Sequence, residues 1–303
     1  MKNNQQGWLN IYKPINISSF GVLKKIKKKY NIEKIGHAGT LDPLAEGILP
    51  VAIGKTTKLI PFISDKIKKY EFQIKWGEQT STDDREGAVV DRSSNIPNYK
   101  DINIKLKELT GTILQAPPKA SAIKINGVRA YKLLRSNKEF EVKKKYVRIY
   151  ESNIIDSTKN SLTKIKIRCG KGFYIRSFVR DLADHLATKG HVFSLKRTKV
   201  GKFCLENSIL LDDLLKIGQT HLGFREIHSS VSMLDDILAY EIDDEKLIKE
   251  ISQGKSVKID TNLFLKDSLN LGGRSIVFLT NKKNVLSFGD LDGSLFKPQK
   301  VLI

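Results

Sequence analysis

The sequence predicts a mixed α/β fold built around a largely antiparallel sheet, and three observations carry that expectation. Tyr70, Phe72, Ile74 and Trp76 alternate with Glu71, Gln73 and Lys75, the period of a half-buried strand. Residues 162–169 repeat the pattern, with Thr163, Ile165, Ile167 and Cys169 opposing Leu162, Lys164, Lys166 and Arg168. Helical periodicity occurs in only a few long stretches, with no regular strand–helix–strand rhythm, which argues for a mixed fold around a largely antiparallel sheet.

In chain order, residues 8–12 read as a short strand. Ser18 or Ser19 can cap a helix running to about Tyr30, with Phe20, Leu23, Ile26 and Lys27 at helical spacing. Lys24, Lys25, Lys27, Lys28 and Lys29 cover its exposed side. Residues 80–87, including Thr82-Asp83-Asp84-Arg85, are polar and read as a loop. A short helix ends over residues 105–110, where Gly111 can terminate it. Gly170 and Gly172 break the strand at 162–169. A helix follows with Ile175, Phe178, Val179, Leu182 and Leu186 as its apolar stripe and Gly190 as its stop. Residues 191–197 form the next strand. Near 230–240 the character of the chain changes. Residues 243–251 are helical, closed by Gly254, and segments 263–265, 275–280 and 285–288 read as strands joined by Gly272-Gly273 and residues 281–284, enough for a small barrel.

The charge follows the same division. Of a formal net charge of +20, residues 1–235 hold 43 Lys/Arg against 23 Asp/Glu, while 236–303 hold 10 of each. The first part therefore calls for an anionic partner. Segment 119–148 is its most basic stretch, with ten Lys/Arg against only Glu139 and Glu141. Two cysteines, Cys169 and Cys204, are too few for a disulfide framework and fit a reducing compartment. No apolar run spans a bilayer, and Met-Lys-Asn-Asn-Gln-Gln has no signal-peptide core, so the expected location is the cytoplasm. His37, His185, His191, His221 and His228 lack zinc-site spacing, and no metal is expected. Gly54-Lys55-Thr56-Thr57 misses the phosphate-loop spacing by two residues, which excludes an NTPase.

The stretch that carries chemistry is Gly36-His37-Ala38-Gly39-Thr40-Leu41-Asp42-Pro43-Leu44-Ala45-Glu46-Gly47. It sets one carboxylate, Asp42, in a glycine-punctuated loop that Pro43 stiffens, well suited to holding that carboxylate close to a polyanion. With Lys13-Pro14, Ser18-Ser19, Gly54-Lys55-Thr56-Thr57-Lys58, Tyr70, Gln115-Ala116-Pro117-Pro118, Ser121-Ala122 and Lys171-Gly172-Phe173-Tyr174-Ile175-Arg176-Ser177, it resembles the stand-alone bacterial tRNA pseudouridine synthases that act on uridine 55 of the T-loop. The likeness runs over roughly residues 8–205 with the motifs in order.

The resemblance implies a pseudouridine synthase core over 1–235, within which 119–148 is an insertion that clamps the RNA stem-loop, and a PUA-like domain over 236–303. It implies isomerisation of uridine to pseudouridine in tRNA, a reaction with no redox step or energy input and hence no cofactor. Asp42 is the expected catalytic carboxylate. Arg176, early in a helix, is its electrostatic partner through a two-pronged contact that keeps it ionised. Tyr70 is placed to stack on a flipped uracil, and Leu195 to hold the apolar edge of the base. Tyr174 and Lys13 belong at the same pocket, and His37 fills the space left by the flipped nucleotide. Lys13 and Lys58 support the loop or meet phosphate. Lys119, Lys124, Arg129, Lys132, Lys143, Lys144, Lys145 and Arg148 are the candidate RNA contacts. The family usually has an aromatic residue before the Ser-Ala pair where this chain has Ala120, so that contact is weaker or made elsewhere. The implied partner is the T-arm stem-loop of tRNA, with no membrane, no obligate protein partner and a monomeric chain. Two rival readings are a non-catalytic RNA-binding or folding module, and the guide-RNA-dependent branch of the superfamily, whose loop has Ser where this chain has Ala38.

Overall fold

The computed structural model describes residues 5–136, 138–158, 161–218, 226–234, 238–260 and 276–303. The chain begins with β1 (Gly7–Lys13), α1 (Ser19–Tyr30), β2 (Ile35–His37) and β3 (Glu46–Ile53), then a 3-10 turn at Gly54–Leu59 and α2 (Ile60–Ser64). Next come β4 (Lys68–Trp76), β5 (Glu78–Thr80), β6 (Val89–Arg92), α3 (Tyr99–Glu108) and β7 (Gly111–Gln115). The basic segment contributes the small hairpin β8 (Lys124–Ile125) and β9 (Val128–Arg129) and the short α4 (Ala130–Arg135). β10 (Lys145–Thr158), β11 (Leu162–Cys169), α5 (Ile175–His185), β12 (Gly190–Val200), β13 (Phe203–Cys204), β14 (Ile209–Leu210) and α6 (Leu211–Lys216) follow. The C-terminal part is β15 (Leu238–Glu241), α7 (Glu245–Ser252), β16 (Val257–Lys258), β17 (Ile276–Asn281), β18 (Asn284–Asp292) and β19 (Leu295–Val301).

The central sheet runs β14-β1-β3-β12-β4-β11-β10-β7, with β2 added to β3 and β13 to β12. Only the β1/β14 and β3/β12 junctions are parallel, so the mixed, largely antiparallel expectation describes it. Alternation along β4 and β11 buries Phe72, Ile74, Trp76, Ile165 and Ile167, and α5 covers them with Phe178, Val179 and Leu182. Trp76 satisfies its indole N–H on Thr163 Oγ1 at 2.9 Å. That packing explains Gly190, which opens β12 instead of stopping α5: a Cβ there would lie 3.1 Å from the Trp76 ring. The helix ends earlier, at His185, where Ala187 takes a left-handed turn at φ 51°. Gly111 likewise begins β7, while α3 has already closed on Leu109.

Ser18 caps α1, accepting the Gly21 N–H at 3.0 Å, and Asn31 ends it in left-handed conformation. The buried stripe is Val22, Leu23, Ile26 and Tyr30. Phe20, expected on that stripe, is 72% exposed. Its place one step off the arc that faces β1 and β3 turns it to solvent.

Beyond residue 237, β15-β17-β18-β19-β16 form a second sheet, with α7 capped by Asp244 packed against it. The expected strand at 263–265 lies outside the described residues. Phe278, Val285 and Phe288 of this sheet, with Leu302 just past β19, share one buried cluster with Trp8, Ala38, Ile48, Leu59 and Ile63 of the first part. Phe62 meets Phe278 and Phe288 edge-on, at 4.9 and 5.0 Å between ring centres.

Candidate active site

The loop that carries Asp42 is held from several sides. Ser19 Oγ donates to the Leu41 carbonyl at 2.9 Å and accepts the Leu41 N–H at 2.8 Å. The Asn16 N–H donates to the Pro43 carbonyl at 2.8 Å. Lys13 is fully buried beneath the loop, and its ammonium donates to the carbonyls of Pro14, Ile17 and Pro43. Burial pushes its pKa down to about 8. With its donors spent on three carbonyls, Lys13 is a strut of the loop and does not line the substrate side.

Arg197, buried on β12, spans the same loop from below. Its Nε donates to the Ile48 carbonyl at 2.8 Å and its Nη2 to the Gly39 carbonyl at 2.9 Å. Gly47 pairs with Arg197 between β3 and β12 at a φ of +104°, and a Cβ on it would stand 2.2 Å from the Arg197 carbonyl oxygen. Only glycine permits that approach.

Across the cavity, the reciprocal amide contacts of Gln115 with the Tyr174 backbone, 2.9 and 3.1 Å long, tie the start of α5 to β7. The next turn projects Arg176, 7% exposed, toward Asp42. Its Nη2 lies 3.0 Å from Asp42 Oδ2 and donates to the Ala120 carbonyl at 3.1 Å. Its Nη1 lies 3.4 Å from Asp84 Oδ2 and donates to the Thr82 carbonyl at 3.1 Å. The two-pronged contact with Asp42 is thus replaced by a fork divided between two carboxylates. Asp84 is fixed in turn by Thr82 Oγ1 at 2.6 Å and the Glu86 N–H at 3.1 Å. A second pair, Arg180–Asp83 at 2.9 Å, braces the same loop.

Asp42 keeps 35% of its side chain open to the cavity. Desolvation by the surrounding protein raises its pKa above the ordinary carboxylate value; Arg176 and Lys13 pull it down and Asp84 pushes it up. Burial outweighs the guanidinium, so this carboxylate is harder to ionise than the sequence suggested.

The cavity holds about 360 Å³ and is lined by Asp42, Tyr70, Tyr174, Arg176, Leu195 and Arg197, with Ala122, Ile123 and Arg129 of the basic segment along one wall. Tyr70 is buried, and burial pushes its phenol up to about 12. Lys68 lines the cavity with its ammonium on the Ser64 and Lys66 carbonyls at 2.7 and 2.8 Å, and burial takes it down to about 8.

The structure therefore brings Asp42, Tyr70, Tyr174, Arg176, Leu195 and Arg129 together. His37 lies on β2 away from the cavity lining, half-buried, with no hydrogen-bond partner for Nδ1 among the described residues. Its pKa is lowered by burial and then by Arg197. Lys58 donates to the Val301 carbonyl, which binds it to the C-terminal sheet instead of leaving it for phosphate. Lys119, Lys124, Lys132, Lys143, Lys144, Lys145 and Arg148 are exposed. Lys145 and Arg148 stand on β10 of the central sheet, paired with β7, so the sheet resumes before the expected end of the insertion. Asp83, Asp84, Lys68 and Arg197 escaped the sequence reading. Their one signal was proximity to recognised motifs, since a polar loop and an arginine on a strand give no sign of burial.

Comparison with known proteins identifies the family. Residues 27–175 match the model of the TruB family pseudouridylate synthase N-terminal domain. A curated relative from Ehrlichia ruminantium named tRNA pseudouridine synthase B is 40% identical over 266 residues, 86% of this chain and 88% of the relative. A relative of the same name from Bartonella bacilliformis is 36% identical over 307 residues, 97% of this chain and 95% of that one. Among solved structures, a chain of a Cbf5-Nop10-Gar1 complex superimposes with a TM-score of 0.72 at 22% identity, covering 98% of this chain and 85% of that one. A chain of an H/ACA RNP bound to a substrate RNA containing 2'-deoxyuridine gives 0.70 at 20% identity, with the same coverage. The structural likenesses speak for the fold alone, but the curated relatives extend along nearly the whole sequence, and the chain belongs to the TruB family of pseudouridylate synthases.

Proposed function

We propose that the protein converts uridine to pseudouridine in tRNA, at position 55 of the T-loop, with Asp42 as the essential carboxylate. The reaction breaks the N1–C1′ bond of uridine and forms a C5–C1′ bond to the same uracil. A proton leaves C5 and one is gained at N1, so nothing is consumed. The observation that carries the reading is Asp42 on the cavity wall, partly open to the cavity, with Oδ2 3.0 Å from Arg176 Nη2.

A uridine reaches such a carboxylate only after it has left the base stack. Tyr70 and Leu195 then offer an aromatic and an apolar surface to the uracil, and Tyr70, with its raised pKa, remains a neutral phenol able to donate a hydrogen bond. Arg176 favours the ionised form of Asp42 against the desolvation that opposes it, and the anchors of its fork hold the carboxylate in place. Lys13 and Arg197 fix the loop so that little reorganisation accompanies the reaction. The exposed cations of 119–148 fit the role of a clamp on the T-arm, and Arg129, Ala122 and Ile123 already border the cavity. The C-terminal curled sheet fits a PUA-like RNA-binding role by its place after the catalytic part. Among the described residues no helix is long and apolar enough to cross a membrane, and action on tRNA suits the cytoplasm.

The test is purified protein with unmodified tRNA, with pseudouridine mapped nucleotide by nucleotide. Conversion of one T-loop uridine without any added guide RNA supports the reading and separates it from the guide-dependent branch. Tight tRNA binding with no conversion would favour the non-catalytic module.

A further inference from the structure

Helix α1 leaves an aromatic side chain in water beside the catalytic loop. Phe20 is 72% exposed, and Ser19 next to it grips Leu41 through both backbone groups. Phe20 therefore starts from the residue that anchors the loop bearing Asp42. Along the helix, Phe20, Lys24, Lys27 and Lys28 stand at i, i+4, i+7 and i+8, which sets them on one face. All four are exposed, and the helix contains no acidic residue. None of the three lysines enters a salt bridge among the described residues. A single exposed phenylalanine is ordinary on a protein surface. One that heads an unneutralised lysine stripe and directly follows the residue gripping Leu41, itself part of the cavity lining, has a partner chemistry written into it.

We propose that this face of α1 is an RNA-binding element outside segment 119–148. Phe20 stacks on an unpaired nucleobase next to the nucleotide held in the cavity, and Lys24, Lys27 and Lys28 follow the phosphates of the strand leading away. RNA suits the face better than an acidic protein does, for two reasons. An aromatic ring stacks on any base, and Phe20 adjoins the residue that holds Leu41, the neighbour of Asp42, where a nucleotide would be received. The inference rests on the reading of the cavity as the site of RNA modification.

The experiment measures binding of a fluorescent T-arm stem-loop and of full-length tRNA to chains that all carry Asp42→Asn, so that no chemistry enters the result. Adding Phe20→Ala should weaken stem-loop binding by about tenfold, leave the salt dependence unchanged and leave Tm unchanged, since the ring covers no core. Phe20→Trp should retain affinity, and its fluorescence should be quenched as RNA binds. Replacing Lys24, Lys27 and Lys28 together by Ala should lower the slope of log affinity against log salt by about 2. Phe20→Ala affinity within twofold of the parent, or a loss that tracks a fall in Tm, overturns the proposal; unchanged RNA binding would return the face to a protein partner. Failure of the catalytic reading shows separately, as pseudouridine formed by Asp42→Asn alone.

Discussion

At the cavity, Arg176 is 7% exposed and shares four oxygen atoms, from Asp42, Asp84 and the carbonyls of Thr82 and Ala120. In the basic segment, Lys143 and Lys144 stand in solvent, with no salt bridge among the described residues. The two regions carry the same sign of charge under opposite constraints. A buried cation must have its partners before the substrate arrives, because an unpaired charge there is costly. A surface cation can wait, holding counterions that binding releases. Substitutions in the first region should therefore act on the chemical step, and those in the second on affinity and its response to salt.

The largest expected effect is that of Asp42→Asn. The amide preserves shape and removes the charge, so single-turnover conversion should fall below about 1% of wild type while tRNA affinity stays within about tenfold. Residual activity above that level, with deamidation excluded, would break the assignment. Next is Arg176→Lys, expected to lose roughly a hundredfold in rate. An ammonium keeps the charge but does not reach Asp42, Asp84 and two carbonyls together. Equal rates for mutant and wild type would show that the divided fork is irrelevant to chemistry.

A smaller effect, about tenfold in rate, is expected of Asp84→Asn, and its pH profile sharpens the comparison further. In the wild type, desolvation holds the pKa of Asp42 above the usual carboxylate value, so activity should fall with decreasing pH earlier than for an ordinary aspartate. Asp84 adds to that shift as a like charge. Removing it makes Asp42 easier to ionise, and the acid limb of the rate profile should move to lower pH. An unmoved limb would assign the titration to another group. Mildest is the replacement of Lys143, Lys144 and Lys145 by Ala, with an unchanged saturated rate and a salt slope lower by roughly 2–3 if all three meet phosphate. An unchanged slope would place them on a merely solvated surface.

The sequence made parts of this arrangement legible because they depend on local pattern. Strands β4 and β11 and helix α5 declare their buried faces by period, and Asp42 stands out through the glycines and proline around it. Burial imposed by distant contacts leaves no such trace. Thr82-Asp83-Asp84-Arg85 has the composition of a solvated turn, yet Arg176 and Arg180, ninety or more residues later, take its carboxylates inside. Arg197 faces inward on the strand that carries Leu195 because the carbonyls of residues 39, 40 and 48 converge there. Phe20 failed for a different reason. Its spacing fits an apolar stripe as well as that of Val22, and only the orientation of α1 on β1 and β3 decides between them.

The apolar cluster shared between the two parts of the chain bears on how the molecule fails. Trp8 and Ile63 bury against the same cluster as Phe278 and Phe288, and Phe62 inserts its edge against both of those rings. Cutting the chain near residue 235 would strip that cover and present a greasy scar, so the first part alone should precipitate or bind apolar dyes. Heat should meet one cooperative melting event instead of two. Because α2 bears Phe62 and ends on Ser64, which lines the cavity, loosening the C-terminal sheet would slacken a wall of the pocket at the same moment.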